Sequence, residues 1–252
     1  MNSVKKLALV SVLVFAAMTA VAQQKQFRVV ATTSWTAAFA MAAGVTDIVV
    51  LAPSELRHPA EYELKPSDIM ALEGADLIVS TGFETMAKKL ADAAGTHHIR
   101  VLQIDADYSL STMKKSIFAV AAITGTTTKA KESVKTLESF VDSWKEELHR
   151  SGLFGASVLV HVFQKPLMDE LGFSVQGVFG PDPLEASQIV KLSAIKATFI
   201  IDNWHNEAAA PLRETLPEVR YASLINFPGP DGTVTLLDVL ADNRKRLSSA
   251  IE

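Results

Sequence analysis

The sequence predicts an α/β protein built as two lobes, each a mainly parallel sheet, joined by one long backbone helix. Three observations carry this. Eight short apolar, β-branched runs punctuate the chain, helix-like segments separate them, and one long amphipathic stretch in the middle has no strand beside it. Regular strand–helix alternation favours parallel strands covered on both faces.

In chain order, the runs FRVVATTS (27–34), DIVVLA (47–52), DLIVSTG (76–82) and IRVLQID (99–105) read as the first four strands. Between them lie WTAAFAMAAG and SDIMALEGA, the latter a helix that Ser67 could cap and that Asp68 favours in its first turn. SVLVH (157–161), FSVQGVFG (173–180), TFIID (198–202) and VRYASLI (219–225) form a second set, separated by PLEASQIVKLSAIK and AAAPLRETL. From 128 to 149, Val134, Leu137, Phe140, Val141, Trp144 and Leu148 recur at spacings of three and four, predicting a helix of about 20 residues and ~30 Å with Gly152 as its stop. The boundaries that follow are a first lobe over 23–127, a backbone helix over 128–151 and a second lobe over 152–252.

Residues 1–22 stand apart. Lys5 and Lys6 precede the apolar run LALVSVLVFAAM, and Ala20-Val21-Ala22 offers the small residues of a signal-peptidase site, so cleavage before Gln23 is expected. The run is shorter than the ~20 residues a membrane span needs. Removing Lys5 and Lys6 from the 24 basic side chains leaves 22 against 28 acidic ones, a net charge of −6. No basic stripe tracks phosphates, which argues against nucleic acid as a partner. The absence of cysteine excludes disulfides, thiolate metal sites and a cysteine nucleophile. An exported chain without cysteine points to the bacterial periplasm.

The histidines carry the functional signal. Ligands of open parallel sheets gather at the carboxyl ends of the strands. His161 closes SVLVH, His205 lies three residues beyond TFIID, and His58 lies six beyond DIVVLA. His97 and His98 fall at the amino end of a strand, and His149 near the end of the backbone helix. Three imidazoles from two lobes are the donor set of a zinc-type site in the interlobe cleft, with one position left for oxygen. Glu61, Asp202, Glu207, Asn226 or water could supply it. Each histidine also has a plain reading as a loop residue; for His205 this is a cap on AAAPLRETL, which Asn206 could equally serve.

The chain resembles the zinc/manganese group of helical-backbone, metal-binding solute receptors of bacterial ABC importers. VVATTSW (29–35) is similar to that family's opening strand, HPAEYELKPSDIMALEGADLIVSTGFE (58–84) to its first-ligand segment, VLVHVFQKPLMDELGF (158–173) to its second-lobe ligand segment, and TVTLLDVLADNRKRL (233–247) to its closing helix. Three departures accompany the likeness. IDADYSLSTMKKS lacks the family's second histidine, LINFPG offers Asn226 where an acidic ligand is usual, and His58 stands four positions before Tyr62 rather than two. His205 is then the candidate replacement for a lost ligand.

The resemblance implies a monomeric, non-enzymatic periplasmic receptor. It would bind Zn2+, alternatively Mn2+ or Fe2+, through His58 and His161, with His205 added from its strand-end position, and deliver it to an inner-membrane permease. Because imidazole must be neutral to bind, affinity is expected to fall below roughly pH 6. Two other readings share the scaffold. One is a receptor for a metal chelate or small organic ligand. The other is a metal-dependent hydrolase, which lacks HExxH and any paired-carboxylate motif.

Overall fold

The computed structural model describes residues 26–251, so the expected signal segment lies outside the described residues. All eight expected strands form. β1 (Arg28–Ala31), β2 (Asp47–Val50), β3 (Leu77–Ser80) and β4 (Arg100–Gln103) make one sheet in the order β2-β1-β3-β4, parallel throughout. β5 (Ser157–His161), β6 (Ser174–Phe179), β7 (Phe199–Asn203) and β8 (Arg220–Leu224) repeat that topology as β6-β5-β7-β8. Each order reverses once, between β1 and β3 in the first lobe and between β5 and β7 in the second. Loops leaving the strands diverge there and open a crevice.

Helix α1 (Ser34–Ala42) begins at Thr33, whose hydroxyl accepts from the Thr36 amide while the Thr36 hydroxyl accepts from the Thr33 amide. The second helical segment, α2 (Pro66–Met70), is shorter than expected and starts one residue earlier. Pro66 supplies the φ a first helical position needs, and the Asp68 carboxylate accepts from the Lys65 amide at 2.7 Å, so Ser67 lies within the first turn rather than capping it. α3 (Ala87–Thr96) then leads to β4.

Neither α3 nor the helix after β4 was anticipated. α4 (Leu110–Thr124) starts at Ser109, whose hydroxyl accepts from the Thr112 amide, and ends on left-handed Gly125. It packs along the backbone helix α5 (Thr127–Arg150), a single 24-residue helix. Val134, Leu137, Val141, Trp144 and Leu148 are buried on the α5 face, whereas Phe140 is half-buried beneath Arg244. Gly152 follows with positive φ, as its stop position requires.

The second lobe adds α6 (Lys165–Leu171), α7 (Ala186–Ser193), α8 (Ala210–Thr215) and α9 (Leu236–Ser249). α9 turns back to pack on both α1 and α5. One continuous buried cluster consequently runs from Val29 and Leu77 of the first sheet, through α5, to Val158, Val160 and Phe199 of the second. Two smaller clusters cover the remaining sheet faces. A shared core of this kind resists large rotation of one lobe against the other.

Candidate metal and ligand site

All eight strands point their carboxyl ends at one cavity of about 570 Å³ between the lobes. From the first lobe come Trp35 after β1, the segment His58–Glu61 after β2, Phe83 after β3 and Asp107 after β4. From the second come Phe163 after β5, Pro181 after β6, Asn203 and His205 at and after β7, and Asn226 with Phe227 after β8. The walls are mainly aromatic and aliphatic. Trp35 stacks on Tyr108 with ring centres 5.6 Å apart and meets Phe227 edge-on at 5.1 Å.

The lobes are fastened across this cavity. The Ser34 hydroxyl donates to the Pro228 carbonyl at 2.7 Å and the Tyr108 hydroxyl to the Asn226 carbonyl at 2.9 Å. Arg57 pairs with Glu207 at 2.8 Å and lies over the Trp204 ring at 5.1 Å. Gly229 comes so close to the first lobe that a Cβ there would stand 2.2 Å from the Ser54 carbonyl oxygen.

Of the three candidate histidines, the structure brings His58 and His205 to the cavity and leaves His161 behind its wall. His58 sits exposed on the loop before Pro59. His161 is completely buried with both ring nitrogens engaged: Nδ1 accepts from the Phe163 amide at 3.2 Å and Nε2 faces Asn206 Oδ1 at 3.2 Å. An acceptor role for Nδ1 fixes the proton on Nε2, which therefore donates to Asn206. Asn206 itself lines the cavity, so His161 positions a neighbour. Gly180 makes room for this ring, since a Cβ there would be 2.3 Å from His161 Nε2.

His205 has the same tautomer for the same reason. Its Nδ1 accepts a long, 3.5 Å hydrogen bond from the Asn226 amide, so its Nε2 carries a hydrogen. That Nε2 is buried without a partner. Burial also pushes the imidazole down to about 3, against the smaller upward pull of the Asn226 bond. The ring is therefore neutral at physiological pH and does not supply the loss of binding expected near pH 6. Burial lowers His161 as well.

The candidate oxygens separate clearly. Asp202 is committed to structure: it accepts from the amides of Asn203, Ala208 and Ala209 at 2.8, 3.2 and 3.0 Å and from the Tyr221 hydroxyl at 3.3 Å. It thereby holds the entry to α8, a task assigned in the sequence to His205 or Asn206. Glu207 is paired with Arg57. Glu61 and Asn226 line the cavity. Among the described residues, no group of three or more His, Asp or Glu side chains stands close enough to hold a metal ion.

Three further side chains lining the cavity carry a buried, unpaired polar atom: Trp35 Nε1, Asn203 Nδ2 and Asn226 Oδ1. Asn203 Oδ1 accepts a hydrogen bond from Gln164 Nε2, whose other bond goes to the Leu224 carbonyl, so the free Asn203 atom is the NH2 donor. Each such unpaired buried group costs about 1–3 kcal/mol, which a bound molecule can recover. The aromatic walls and Asn203 escaped the sequence reading, which named Asn226 as a candidate oxygen. The available signal was position, because each stands at or just beyond the carboxyl end of a strand.

The family model for the periplasmic zinc-uptake complex component A matches residues 29–131, which span the first sheet and the start of α5. No protein of curated function matches the chain in sequence. Solved structures share the fold. The FpvC solute-binding protein of Pseudomonas aeruginosa, in complex with Mn2+, aligns at 17% identity and TM-score 0.68 over 90% of this chain and 99% of its own. The Mn-bound periplasmic metal-binding protein of Candidatus Liberibacter asiaticus aligns at 15% and 0.66, and the laminin-binding adhesin Lmb of Streptococcus agalactiae at 15% and 0.69, each over 90% of this chain and 100% of its own. The family model thus matches the first lobe in sequence, and the solved structures match the fold of both lobes.

Proposed function

We propose that this chain is the periplasmic receptor of an ABC importer and that its cargo contains a divalent transition metal, lodged between the lobes and delivered to a membrane permease. The observation that carries this reading is the convergence of eight strand ends on one interlobe cavity, in two lobes joined by a single 24-residue helix. Such a frame captures and releases a solute by small tilts of the lobes, without turnover. The family model supports the metal, with zinc suited to histidine and Mn2+ bound in two of the neighbours.

Within the three-histidine set, we assign direct metal contact to His58, whose exposed ring keeps a lone pair available. His161 and His205 act by holding the cavity floor. The test is a zinc titration of His58→Ala, His161→Ala, His205→Ala and, as a control, His149→Ala under a competing chelator. Loss of a direct ligand weakens binding by at least the ~10–100-fold typical of a lost supporting partner. His58→Ala should show that loss and His149→Ala should match wild type. Equal binding by His58→Ala and wild type would overturn the assignment, and equal loss in all three variants would restore the complete three-histidine shell.

A further inference from the structure

The cavity's size and its unpaired atoms do not suit a bare ion. A zinc shell with bonds of ~2.1 Å encloses roughly 40 Å³. The cavity holds about 570 Å³, a volume within the range of small organic ligands. Its chemistry points the same way. Of the four unpaired buried atoms on lining side chains, Trp35 Nε1, His205 Nε2 and Asn203 Nδ2 are hydrogen-bond donors, which repel a cation, and only Asn226 Oδ1 offers a lone pair. Their side chains are almost fully enclosed, with 3%, 1% and 3% of His205, Asn203 and Asn226 exposed. Ligating a metal through His205 Nε2 would move its hydrogen to Nδ1, against the Asn226 amide that now donates there. The lining also carries Arg57, His58, Glu61, Asp107 and Asn206, and the larger part of the wall is apolar, with Trp35, Phe83, Phe163 and Phe227. A hydrated dication held against those apolar walls and the buried donors loses its water with little in return.

We propose that the metal enters this cavity already complexed, as a neutral chelate of a small aromatic ligand bearing acceptor oxygens. The ligand's flat rings pack against the aromatic walls, and its oxygens accept from His205 Nε2 and Asn203 Nδ2. His58 reaches a coordination position that the chelator leaves open. This rests on the importer reading and specifies its cargo.

Zinc bis(picolinate) is a compact probe of that class: neutral, aromatic, with carboxylate oxygens and vacant coordination positions. The full chain, freed of metal, is titrated with zinc chloride, with picolinate alone and with the complex, following tryptophan fluorescence and heat. The complex should bind at least tenfold more tightly than zinc chloride. Phe163→Ala alters a 45%-exposed side chain that folding tolerates. It should remove most of the tenfold gain, and Asn203→Ala should do the same. Zinc chloride binding as tightly as the complex would overturn this inference and leave the importer reading intact. Picolinate alone matching the complex would overturn the metal component of both. Failure of zinc to bind in either form would overturn the importer reading and this inference together.

Discussion

At the scale of single residues, Asp202 and His205 divide the work at the end of β7. Asp202 satisfies three backbone amides, and removing its carboxylate strands them in a buried setting. Asp202→Ala should therefore cost about 3 kcal/mol of unfolding free energy by urea titration. His205 gives a pH signature. Its imidazole sits near 3 when folded and near 6.5 when free, so between those values the unfolded chain holds more protons. Stability then rises with pH across that window and is lost on acidification, at up to about 1.4 kcal/mol per pH unit from this ring. Urea midpoints at pH 4.5 and 6.5 should diverge less in His205→Gln than in wild type; an unchanged difference would refute the assignment. The strand-end rule found His161 and His205 from sequence. It could not reveal which nitrogen each ring leaves free, because that depends on the Phe163 and Asn226 amides folding back onto them.

At the scale of elements, the strands were legible because VVA, LIVS, VLVH and FIID are apolar and β-branched, and their turns are marked by Gly and Asp. Helix α5 was legible from its spacing. Helix α4 was missed: its opening, LSTMKKS, mixes apolar and polar residues, and its later apolar positions merge into a nearly continuous run, IFAVAAI, which blurs any period of 3.6. Its caps, Ser109 and Gly125, stood in the sequence and would have bounded it. The loop from β6 contains a position whose requirement is steric. Gly180 has φ of 72° and packs on His161. Gly180→Ala combines an unfavourable backbone with displacement of a buried ring, and should destabilise by about 2–3 kcal/mol in the same urea assay. It should also weaken cargo binding, since His161 holds Asn206 on the cavity wall.

At the scale of the whole molecule, the continuous core through α5 and the return of α9 onto the first lobe limit the lobes to small tilts. The polar fastenings across the cavity are then the adjustable part. Arg57 and Glu207 are both about half exposed, so their pairing adds at most about 1 kcal/mol to stability. Arg57→Ala should shift Tm by less than ~4 °C while raising the cargo dissociation rate several-fold in stopped-flow measurements. An unchanged rate would show that this pair does not restrain opening. Two lobes and their spine could be read from alternation and periodicity alone, whereas the cavity between them could not. It is built from residues as distant in sequence as Trp35 and Phe227, and no local pattern records that they meet.

The most direct measurement of the central claim is anomalous diffraction from crystals of the chain purified from periplasm without chelator or affinity tag. The account predicts one metal peak inside the interlobe cavity, within coordination distance of a His58 nitrogen, with flat ligand density between it and His205. A peak outside the cavity, or a cavity filled by solvent alone, would contradict it.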